Sequence, residues 1–376
     1  MDVKIIAFYL PQFHTFPEND EWWGNGFTEW RTVKNAIPYF EKHEQPRIPL
    51  NDNYYCLDDD GSTLRWQAEI AKKYGIYGFC FYHYWFNGKL LMEKPIKKLL
   101  ERDDIDINYC ICWANENWTR AWADKTQEIL IEQHYGNKND WKEHFYYFLK
   151  FFRDKRYIKI NNKPMLIIYR PELMTEREEM FNEWDRLTKA NGFEGLYLLY
   201  QQNNYNPNND SAGKWFEAGI EYQPQCVMSL EKNKYGKIPY YIHSTVNYIC
   251  DKTNIMWNEK IAFSYSYDQL WDDILNRFPQ RDNMYPGAFV DWDNTPRHKK
   301  RGSFCTGVTP EKFEYYLRKQ LQRTKDIYGK EYLFLFAWNE WGEGGYLEPD
   351  KKNGYKMLEA IKESYRHIDN RHGDQL

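Results

Sequence analysis

The segment STLRWQAEIAKKYGIYGFCFY, residues 62–82, contains an amphipathic helix pattern followed directly by a short, continuously apolar run. We predict a helix over Leu64–Lys73 and a strand over Ile76–Tyr82. An apolar run of this length, without alternating polar residues, is typical of a strand that is buried on both faces. Such strands occur in parallel sheets covered by helices, so the segment favours an α/β fold.

The same alternation of strand and helix patterns continues along the chain. Strands are predicted over Val3–Tyr9, Ile107–Trp113, Pro164–Tyr169, Gly195–Tyr200, Gly287–Val290 and Tyr332–Trp338. Helices are predicted over Leu90–Glu101, Trp141–Arg153, Glu176–Ala190, Ser266–Arg277, Pro310–Ile327 and Tyr355–Tyr365. The stretch Gln201–Thr253 follows neither pattern. About eight strands, most followed by a helix, predict a single (β/α)₈ TIM barrel with long βα loops over residues 1–376.

A doubly wound sheet is the other fold with this alternation. It usually binds phosphate groups through a glycine-rich loop directly after its first strand. The stretch Tyr9–His14 occupies that position and contains no glycine, so we favour the barrel. Walker A, HExxH, GxSxG and GxGxxG patterns are absent from the sequence, which therefore gives no support for ATP hydrolysis, zincin chemistry or serine hydrolysis.

Composition excludes several further classes of function. The net charge of −4 gives no basic footprint for nucleic acid. No apolar run approaches the roughly 18 residues of a membrane span. The N-terminal residues enter a strand pattern without the regions of a signal peptide, and the seven cysteines are scattered, so we predict a cytoplasmic protein.

The sequence predicts neither a metal nor a nucleotide cofactor. Soft ligands are scattered, and no pair of histidines has the helical spacing of a metal site. Asp291-x-Asp293 is a weak alternative, because it matches the metal-binding DxD pattern of nucleotide-sugar transferases.

Aromatic residues make up 19% of the chain, which is an unusual share. One interpretation is a large aromatic core, and the other is a cleft in which flat rings stack on sugars. The active site of a barrel lies at the C-terminal ends of its strands. Nearly every predicted strand end carries an aromatic ring together with an amide or a carboxylate, as in Trp22–Trp30, Trp113–Trp118, Asp291–Asn294 and Trp338–Gly344. His83–Trp85 and Tyr169–Pro171 follow two further strands. This repetition favours a saccharide cleft.

Glu340 and Glu343 are the best candidates for catalysis. They follow a buried strand, three residues apart, where Gly342 is expected to let the chain bend. Glycosyl chemistry needs two carboxyl groups, one protonated and one ionised, and burial among aromatic rings separates their pKa values. The alternative is that one of the two caps a helix or pairs with an arginine.

Four further polar residues are candidates for the site. Glu116 lies between two asparagines and two tryptophans. His14 and His83 could transfer protons or donate to hydroxyl groups, although a histidine at a strand end is often a structural hydrogen-bond partner. Arg170 could orient a carboxylate or form a surface ion pair.

Five motif segments, taken in order, resemble the WbsX-type proteins, whose domain is called glycoside hydrolase family 99-like after the endo-α-mannosidase family. The segments are Ala7–His14, Trp22–Trp30, Gly78–Trp85, Trp113–Trp118 and Trp338–Gly344, and the resemblance runs from about residue 3 to 365. These proteins occur in O-antigen and capsule gene clusters and are labelled glycosyltransferases. The resemblance implies a (β/α)₈ barrel and a retaining mechanism.

The resemblance also implies roles for individual residues. Glu340 would be the base that deprotonates the sugar 2-hydroxyl, so that this oxygen attacks the anomeric carbon and forms a 1,2-anhydro sugar. Glu343 would protonate the leaving oxygen and later activate water. Tyr9 matches a first-strand tyrosine near the reacting sugar. Gly342 stands where the endo-α-mannosidases carry histidine, and Trp113–Trp118 is not their sequence.

We therefore predict an endo-α-mannosidase-like glycosidase that acts on an α-linked oligosaccharide or surface polysaccharide. The alternatives are a glycosyltransferase of O-antigen, lipopolysaccharide or capsule biosynthesis, and a non-catalytic glycan-binding barrel. We expect Tyr9, His83, Glu116, Asp291 and Glu340 to line one cleft. Substrate contacts are predicted from Tyr9, His14, Trp30, His83, Trp85, Trp113, Asn115, Glu116, Trp118, Arg170, Asp291, Trp292, Asn339 and Trp341.

Overall fold

Eight parallel strand positions form the centre of the molecule in this computed structural model. The structure describes residues 2–119, 128–203, 215–230, 245, 263–279 and 281–373, with side chains as far as Arg366. The strands are β1 (Lys4–Tyr9), β2 (Ile76–Phe86), β3 (Asn108–Trp113), β4 (Lys163–Ile168), β5 (Tyr197–Gln202), β6 (Ala218–Glu221), β7 (Met284–Tyr285 together with Gly287–Phe289) and β8 (Tyr332–Phe336).

The sheet closes through β7, which is interrupted at Pro286. Its first half pairs with β6 and its second half pairs with β8, and both pairings are parallel. The other neighbours follow in order from β6 back to β1, and β1 pairs with β8. Because the two ends of the hydrogen-bonded path are consecutive parts of one strand, the sheet forms a barrel. The (β/α)₈ fold predicted from the sequence is confirmed.

Helices surround the barrel and also occupy its long βα connections. No helix in the described ranges has the length and apolarity needed to cross a bilayer. The helices are α1 (Pro17–Trp23), α2 (Glu29–Lys34), α3 (Ser62–Lys73), α4 (Lys94–Glu101), α5 (Lys138–Phe152), α6 (Arg177–Ala190), α7 (Gln225–Leu230), α8 (Tyr267–Asn276), α9 (Thr295–His298), α10 (Pro310–Asp326) and α11 (Lys356–Gly373).

Short elements complete the connections between these strands and helices. Two-stranded pairings join Lys89–Leu91 to the end of β2, Trp118–Thr119 to Ile129–Ile131, Lys159–Ile160 to β4, Phe263–Ser266 to Ser303–Thr306, and Asn339–Glu340 to Gly345–Tyr346. Single 3₁₀ turns cover Leu50–Asp52, Pro171–Leu173, Lys299–Arg301 and Trp341–Glu343.

The structure corrects two parts of the sequence-based assignment. The predicted helix over Leu90–Glu101 is wrong at its start, because Lys89–Leu91 turns back antiparallel onto β2 and the helix begins at Lys94. The stretch that showed no pattern, Gln201–Thr253, contains β6, which has only four residues. A strand this short carries too little alternation to be recognised from sequence.

Side chains along the strands alternate between the barrel interior and the helical layer. The ring of Phe8 lies 5.6 Å from Tyr82, 5.1 Å from Tyr222 and 6.0 Å from Phe334, so these residues meet inside the barrel. The next residue, Tyr9, points the other way and donates a hydrogen bond to Gln67 of α3 at 2.7 Å. This period of two decides which residues at the strand ends can reach a cleft.

The closure of the barrel depends on a glycine. A β-carbon at Gly287 would collide with the backbone carbonyl oxygen of Glu221 where β6 and β7 meet. We expect Gly287→Ala to lower the free energy of unfolding by roughly 1–3 kcal/mol, because the clash forces the two strands apart. The change is measured by chemical denaturation.

The control for this variant is Gly354→Ala, where nothing lies within 4 Å of the added carbon and only the positive φ of 58° opposes it. If Gly287→Ala destabilises no more than this control, the close approach at Gly287 does not constrain the barrel.

Candidate active site

A cavity opens at the C-terminal ends of the strands, where sequence analysis predicted the site. Its volume is about 120 Å³. The rings on its walls belong to Tyr82, Tyr84, Trp118, Tyr169 and Tyr222. Its polar groups come from Glu116, Asn117, Gln225, Arg297, Glu340 and Glu343.

Arg297 of α9 binds both candidate catalytic carboxylates. Its Nη2 lies 2.9 Å from Oε2 of Glu340, and its Nη1 lies 2.8 Å from Oε1 of Glu343. Its Nε donates to Oε1 of Glu29 at 2.8 Å. The side chains of Arg297, Glu29 and Glu340 are at most 6% exposed, whereas that of Glu343 is 18% exposed. One guanidinium therefore fixes the relative position of three carboxyl groups.

The charges of this cluster do not balance when all groups are ionised, because three carboxylates face one guanidinium. The pKa of Glu340 is raised to about 8, because burial raises it, the Arg297 guanidinium opposes part of that rise, and the carboxylates of Glu343 and Glu29 add to it. Burial also raises the pKa of Glu29 against the opposing effect of Arg297. These shifts favour a cluster that retains a proton near neutral pH, held among its carboxyl groups.

The segment that carries the pair is attached to the first strand by a side-chain amide. Asn339 accepts from the backbone N–H of Leu10 at 2.8 Å and donates to the backbone carbonyl of Leu10 at 2.9 Å. The ring of Trp341 stacks on Tyr346 with centroids 3.7 Å apart. Between Glu340 and Glu343 the chain makes a single 3₁₀ turn, which Gly344 ends in the left-handed conformation.

Glu348 holds the same segment from behind and was missed by sequence analysis. Its carboxylate accepts from Gln67 at 2.6 Å, from Tyr55 at 2.9 Å and from the indole N–H of Trp341 at 2.6 Å. Burial raises the pKa of Glu348 to about 7, and these donors oppose the rise. Nothing in the sequence around residue 348 distinguishes it from an ordinary loop carboxylate.

A glycine is required at position 342 because there is no room for a β-carbon, and not because of the bend that the sequence suggested. Its backbone φ is outside the left-handed region, but a β-carbon there would collide with Oε1 of Glu29 and would lie 2.8 Å from Nε of Arg297. The glycine therefore lets the Glu29–Arg297 pair pass directly against the turn that carries Glu340 and Glu343.

Glu116, in the segment after β3, lines the same cavity. Its Oε2 lies 3.1 Å from Nη1 of Arg170, which also binds Glu172 at 2.7 Å. Asn115 fixes the backbone of Arg170 by accepting from its N–H and donating to its carbonyl. Burial raises the pKa of Glu116, and Arg170 lowers it. Trp118 packs edge-on against Tyr84 at 5.1 Å.

Four of the predicted site residues thus line this cavity: Glu116, Trp118, Glu340 and Glu343. Behind the cavity wall are four other predicted residues, which hold the lining residues in place: Asn115, Arg170, Asn339 and Trp341. Tyr9, His83 and Asp291 do not join Glu116 and Glu340 in the cleft. The remaining predicted residues also lie elsewhere.

Strand alternation explains the position of the aromatic candidates. Tyr82 and Tyr84 face the barrel interior and line the cavity. His83 and Trp85 alternate with them along β2 and therefore face α5. His83 lies 2.9 Å from His144, and Trp85 stacks on the same ring at 4.4 Å. Trp113 of β3 also packs on His144 from the helical side. These rings belong to the layer between sheet and helices.

Two further candidates in the loop after β1 form hydrogen bonds with backbone carbonyl groups. His14 lies 2.9 Å from the carbonyl of Pro11, and burial lowers its pKa to about 4. Trp30 donates from its indole to the carbonyl of Tyr55 at 2.8 Å. Both side chains fasten the loop in place and are almost fully buried.

The two carboxylates of the DxD pattern are bound by other side chains of the protein. Asp291 binds Arg47 at 2.8 Å, and Asp293 binds His43 at 2.9 Å and Gln45 at 2.7 Å. Trp292 donates to Ser303. Within the described ranges, no group of three or more His, Cys, Asp or Glu side chains has the arrangement of a metal site.

Replacing Gly342 tests whether the Glu29–Arg297 pair positions the catalytic turn. We expect Gly342→Ala to fold but to displace Glu29 and Arg297, because the new methyl group occupies the position of Oε1 of Glu29. A crystal structure of the variant should show the Arg297 contact to Glu340 or Glu343 broken. Gly26→Ala, with nothing within 4 Å, is the control. An unchanged Arg297 in Gly342→Ala contradicts the steric account.

Two solved structures share this fold. The chain is similar to a glycoside hydrolase-like protein, with a TM-score of 0.57, 13% identity and coverage of 97% of this chain and 94% of that one. It is also similar to the GH99 endo-alpha-mannosidase from Bacteroides thetaiotaomicron, with a TM-score of 0.55, 12% identity and full coverage of both chains. At such low identity the similarity establishes a common fold.

Sequence comparison gives the family. The chain is 34% identical over 367 residues to Uncharacterized protein WxcX of Xanthomonas campestris pv. campestris strain B100, which covers 97% of this chain and 50% of that protein. A second strain of the same organism has a protein of the same name with the same identity and coverage. The chain spans about half the length of these curated relatives. Residues 5–361 match the model of the family described as Glycosyltransferase WbsX, and the chain belongs to this family.

Proposed function

We propose that the chain is a carbohydrate-active enzyme that cleaves an α-linked glycan with retention in the cavity of Glu340 and Glu343. The observation that carries the proposal is the shared contact with Arg297, which brings two carboxyl groups from one turn into an aromatic-walled cavity at the C-terminal end of a barrel. The fold, which the chain shares with the GH99 endo-alpha-mannosidase, supports an α-linked substrate.

The walls of the cavity suit a sugar. Tyrosine and tryptophan offer a flat apolar face together with a polar edge, as the alternating CH and OH surfaces of a pyranose require. Asn117 and Gln225 can both donate to and accept from hydroxyl groups. Glu116, held by Arg170, lines the same cavity and can accept a hydroxyl hydrogen.

The placement of the pair favours participation of the substrate. In ordinary retaining enzymes the two carboxyl groups flank the scissile bond about 5–5.5 Å apart. Here both groups come from one turn and bind the two terminal nitrogens of one guanidinium, so they lie on the same wall. A nucleophile on the opposite face of the sugar ring is then best supplied by the sugar itself.

The reaction proceeds in two steps. Glu340 takes the proton of the 2-hydroxyl, O2 attacks the anomeric carbon, the glycosidic C–O bond breaks, and Glu343 gives its proton to the leaving oxygen. A 1,2-anhydro sugar results. Glu343 then takes a proton from water, the water oxygen attacks the anomeric carbon, the bond between that carbon and O2 breaks, and Glu340 returns its proton to O2. Arg297 stabilises each carboxylate while it is ionised.

Glycosyl transfer is the second candidate, favoured by the description of the family. The same intermediate can be opened by a sugar hydroxyl in place of water, with Glu343 removing the proton of that hydroxyl. Product analysis in the presence of added oligosaccharide acceptors separates transfer from hydrolysis. Binding of glycans without turnover would favour a non-catalytic glycan-binding barrel.

Substitution of the two glutamates tests the proposal. Wild-type protein is incubated with a panel of α-mannan and bacterial surface polysaccharides, and released oligosaccharides are quantified by chromatography. We expect Glu340→Gln and Glu343→Gln each to lower kcat by ~10²–10⁴, the usual contribution of general acid–base catalysis, with little change in binding. The matched control is Glu314→Gln, a half-buried glutamate of α10 that pairs with Arg318.

Substrates with altered leaving groups separate the two roles. A good leaving group should rescue Glu343→Gln, because it needs no protonation, and should not rescue Glu340→Gln. A 2-deoxy substrate should be inert with the wild-type enzyme. If the 2-deoxy compound is cleaved at an ordinary rate, the sugar 2-hydroxyl is not the nucleophile, and Glu116 becomes the candidate for that role.

The pH dependence reports the role of Glu340. A base must be ionised in the free enzyme, so kcat/KM should rise as pH increases through the pKa of Glu340 at about 8. Glu29→Gln removes a carboxylate that raises this pKa, and the rising limb should move to lower pH. A falling limb near pH 8 would instead make Glu340 the proton donor.

A further inference from the structure

A second cavity, of about 440 Å³, opens behind the 3₁₀ turn Trp341–Glu343, on the side away from the candidate active site. Glu348 and Trp341 line it from the segment after β8, Tyr55 lines it from the loop after β1, and Trp66 lines it from α3. The cavity therefore brings solvent close to the carboxyl group that binds the indole of Trp341.

The contacts of Glu348 fit an ionised carboxylate. Its Oε2 accepts from the hydroxyl group of Tyr55 at 2.9 Å and from the indole of Trp341 at 2.6 Å. Its Oε1 accepts from the amide of Gln67 at 2.6 Å, and that amide is oriented by Tyr9, which donates to its oxygen at 2.7 Å. An indole N–H can donate but never accept. A proton on Glu348 must therefore displace Trp341 or turn the Gln67 amide over.

No cation compensates this carboxylate. Among the described residues, no lysine, arginine or histidine forms an ion pair with Glu348, and its contacts are neutral side chains. The titratable groups that face it are the phenols of Tyr9 on β1 and Tyr55 in the loop after β1. Burial, together with the charge of Glu348, raises the pKa of both phenols well above the usual value, so both keep their protons.

The other charged groups of this region pair at the rim of the cavity. Asp52 lines the cavity and lies 2.8 Å from the ammonium group of Lys351, and both side chains are exposed. Two further phenols on the wall, Tyr54 and Tyr355, are only partly buried. Burial raises the pKa of Glu348 to about 7. This carboxyl group can therefore exchange its proton near neutral pH without a charged partner to oppose the change.

We propose that Glu348 is a positioning residue whose charge controls the turn between Glu340 and Glu343: the ionised carboxylate holds the indole of Trp341, and a proton taken up from the second cavity releases it. This inference rests on the proposed function and adds a control step to it. The reaction then depends on the charge of a carboxyl group that never touches the substrate.

The indole N–H of Trp341 reports this step directly. Protein labelled with ¹⁵N-tryptophan is followed by NMR at pH values on either side of 7, and the Trp341 signal among the 16 tryptophans is assigned by Trp341→Phe. We expect the indole proton to shift with a midpoint near pH 7, because its hydrogen bond to a charged acceptor is lost as Glu348 takes up a proton. In Glu348→Gln the signal should not depend on pH.

The pH profile separates positioning from a merely structural role. Below pH 7, the logarithm of kcat/KM of the wild type should fall by about two for each pH unit, because Glu340 and Glu348 each take up a proton, and by about one in Glu348→Gln. At higher pH, Glu348→Gln should lower kcat roughly tenfold with KM little changed, since a neutral amide is a weaker acceptor than a carboxylate. Trp341→Phe lacks the donor and should also show the single slope.

Glu221→Gln is the matched control. Glu221 is also a buried glutamate that accepts from a phenol, that of Tyr328 at 2.8 Å, but it lines neither cavity. Its pH profile and its Trp341 signal should match those of the wild type, and thermal unfolding of each variant identifies any loss of folding.

Two results overturn the control of the turn by Glu348. One is a Trp341 signal that does not titrate, or that titrates equally in Glu348→Gln, and the other is an unchanged slope of kcat/KM in that variant. If no polysaccharide of the panel is cleaved, the proposed function fails, and the NMR titration alone decides whether Glu348 controls the turn.

Discussion

The candidate site depends on one buried arginine. Arg297 binds Glu29, Glu340 and Glu343 with its three nitrogens, and nearly all of this contact is inaccessible to solvent. Burying a guanidinium is costly unless its charge and its donors are matched, and three carboxyl groups overcompensate it. The excess negative charge keeps a proton in the cluster, so the group that stabilises the geometry also sets the protonation state available for chemistry.

The fold could be predicted from sequence to a large extent, and the site only in part. The hydrophobic pattern of Ile76–Tyr82 and of the other predicted strands is sufficient to predict the barrel. The same pattern also contains the side-chain period that places Tyr82 and Tyr84 inside, and His83 and Trp85 outside. Sequence analysis selected His83 and Trp85 for their chemical type, although the alternation along β2 would have directed attention to Tyr82 and Tyr84.

Other features were beyond any local pattern. Glu29 and Arg297 are separated by 268 residues and meet because α2 and α9 occupy neighbouring connections at one end of the barrel. An arginine in a loop has no sequence feature that marks it as buried. Tyr222 follows a strand of four residues, and Glu348 becomes distinctive only through the three donors that surround it. Such residues are defined by the closure of the barrel and not by their neighbours in the chain.

The amide of Asn339 joins the beginning of the chain to its end. By accepting from and donating to the backbone of Leu10, it imitates one more residue of sheet pairing between β1 and the segment after β8. During synthesis on the ribosome, more than three hundred further residues must therefore be added before the backbone groups of Leu10 can bond to Asn339. The active end of the barrel is consequently incomplete until β8 and the segment after it are present.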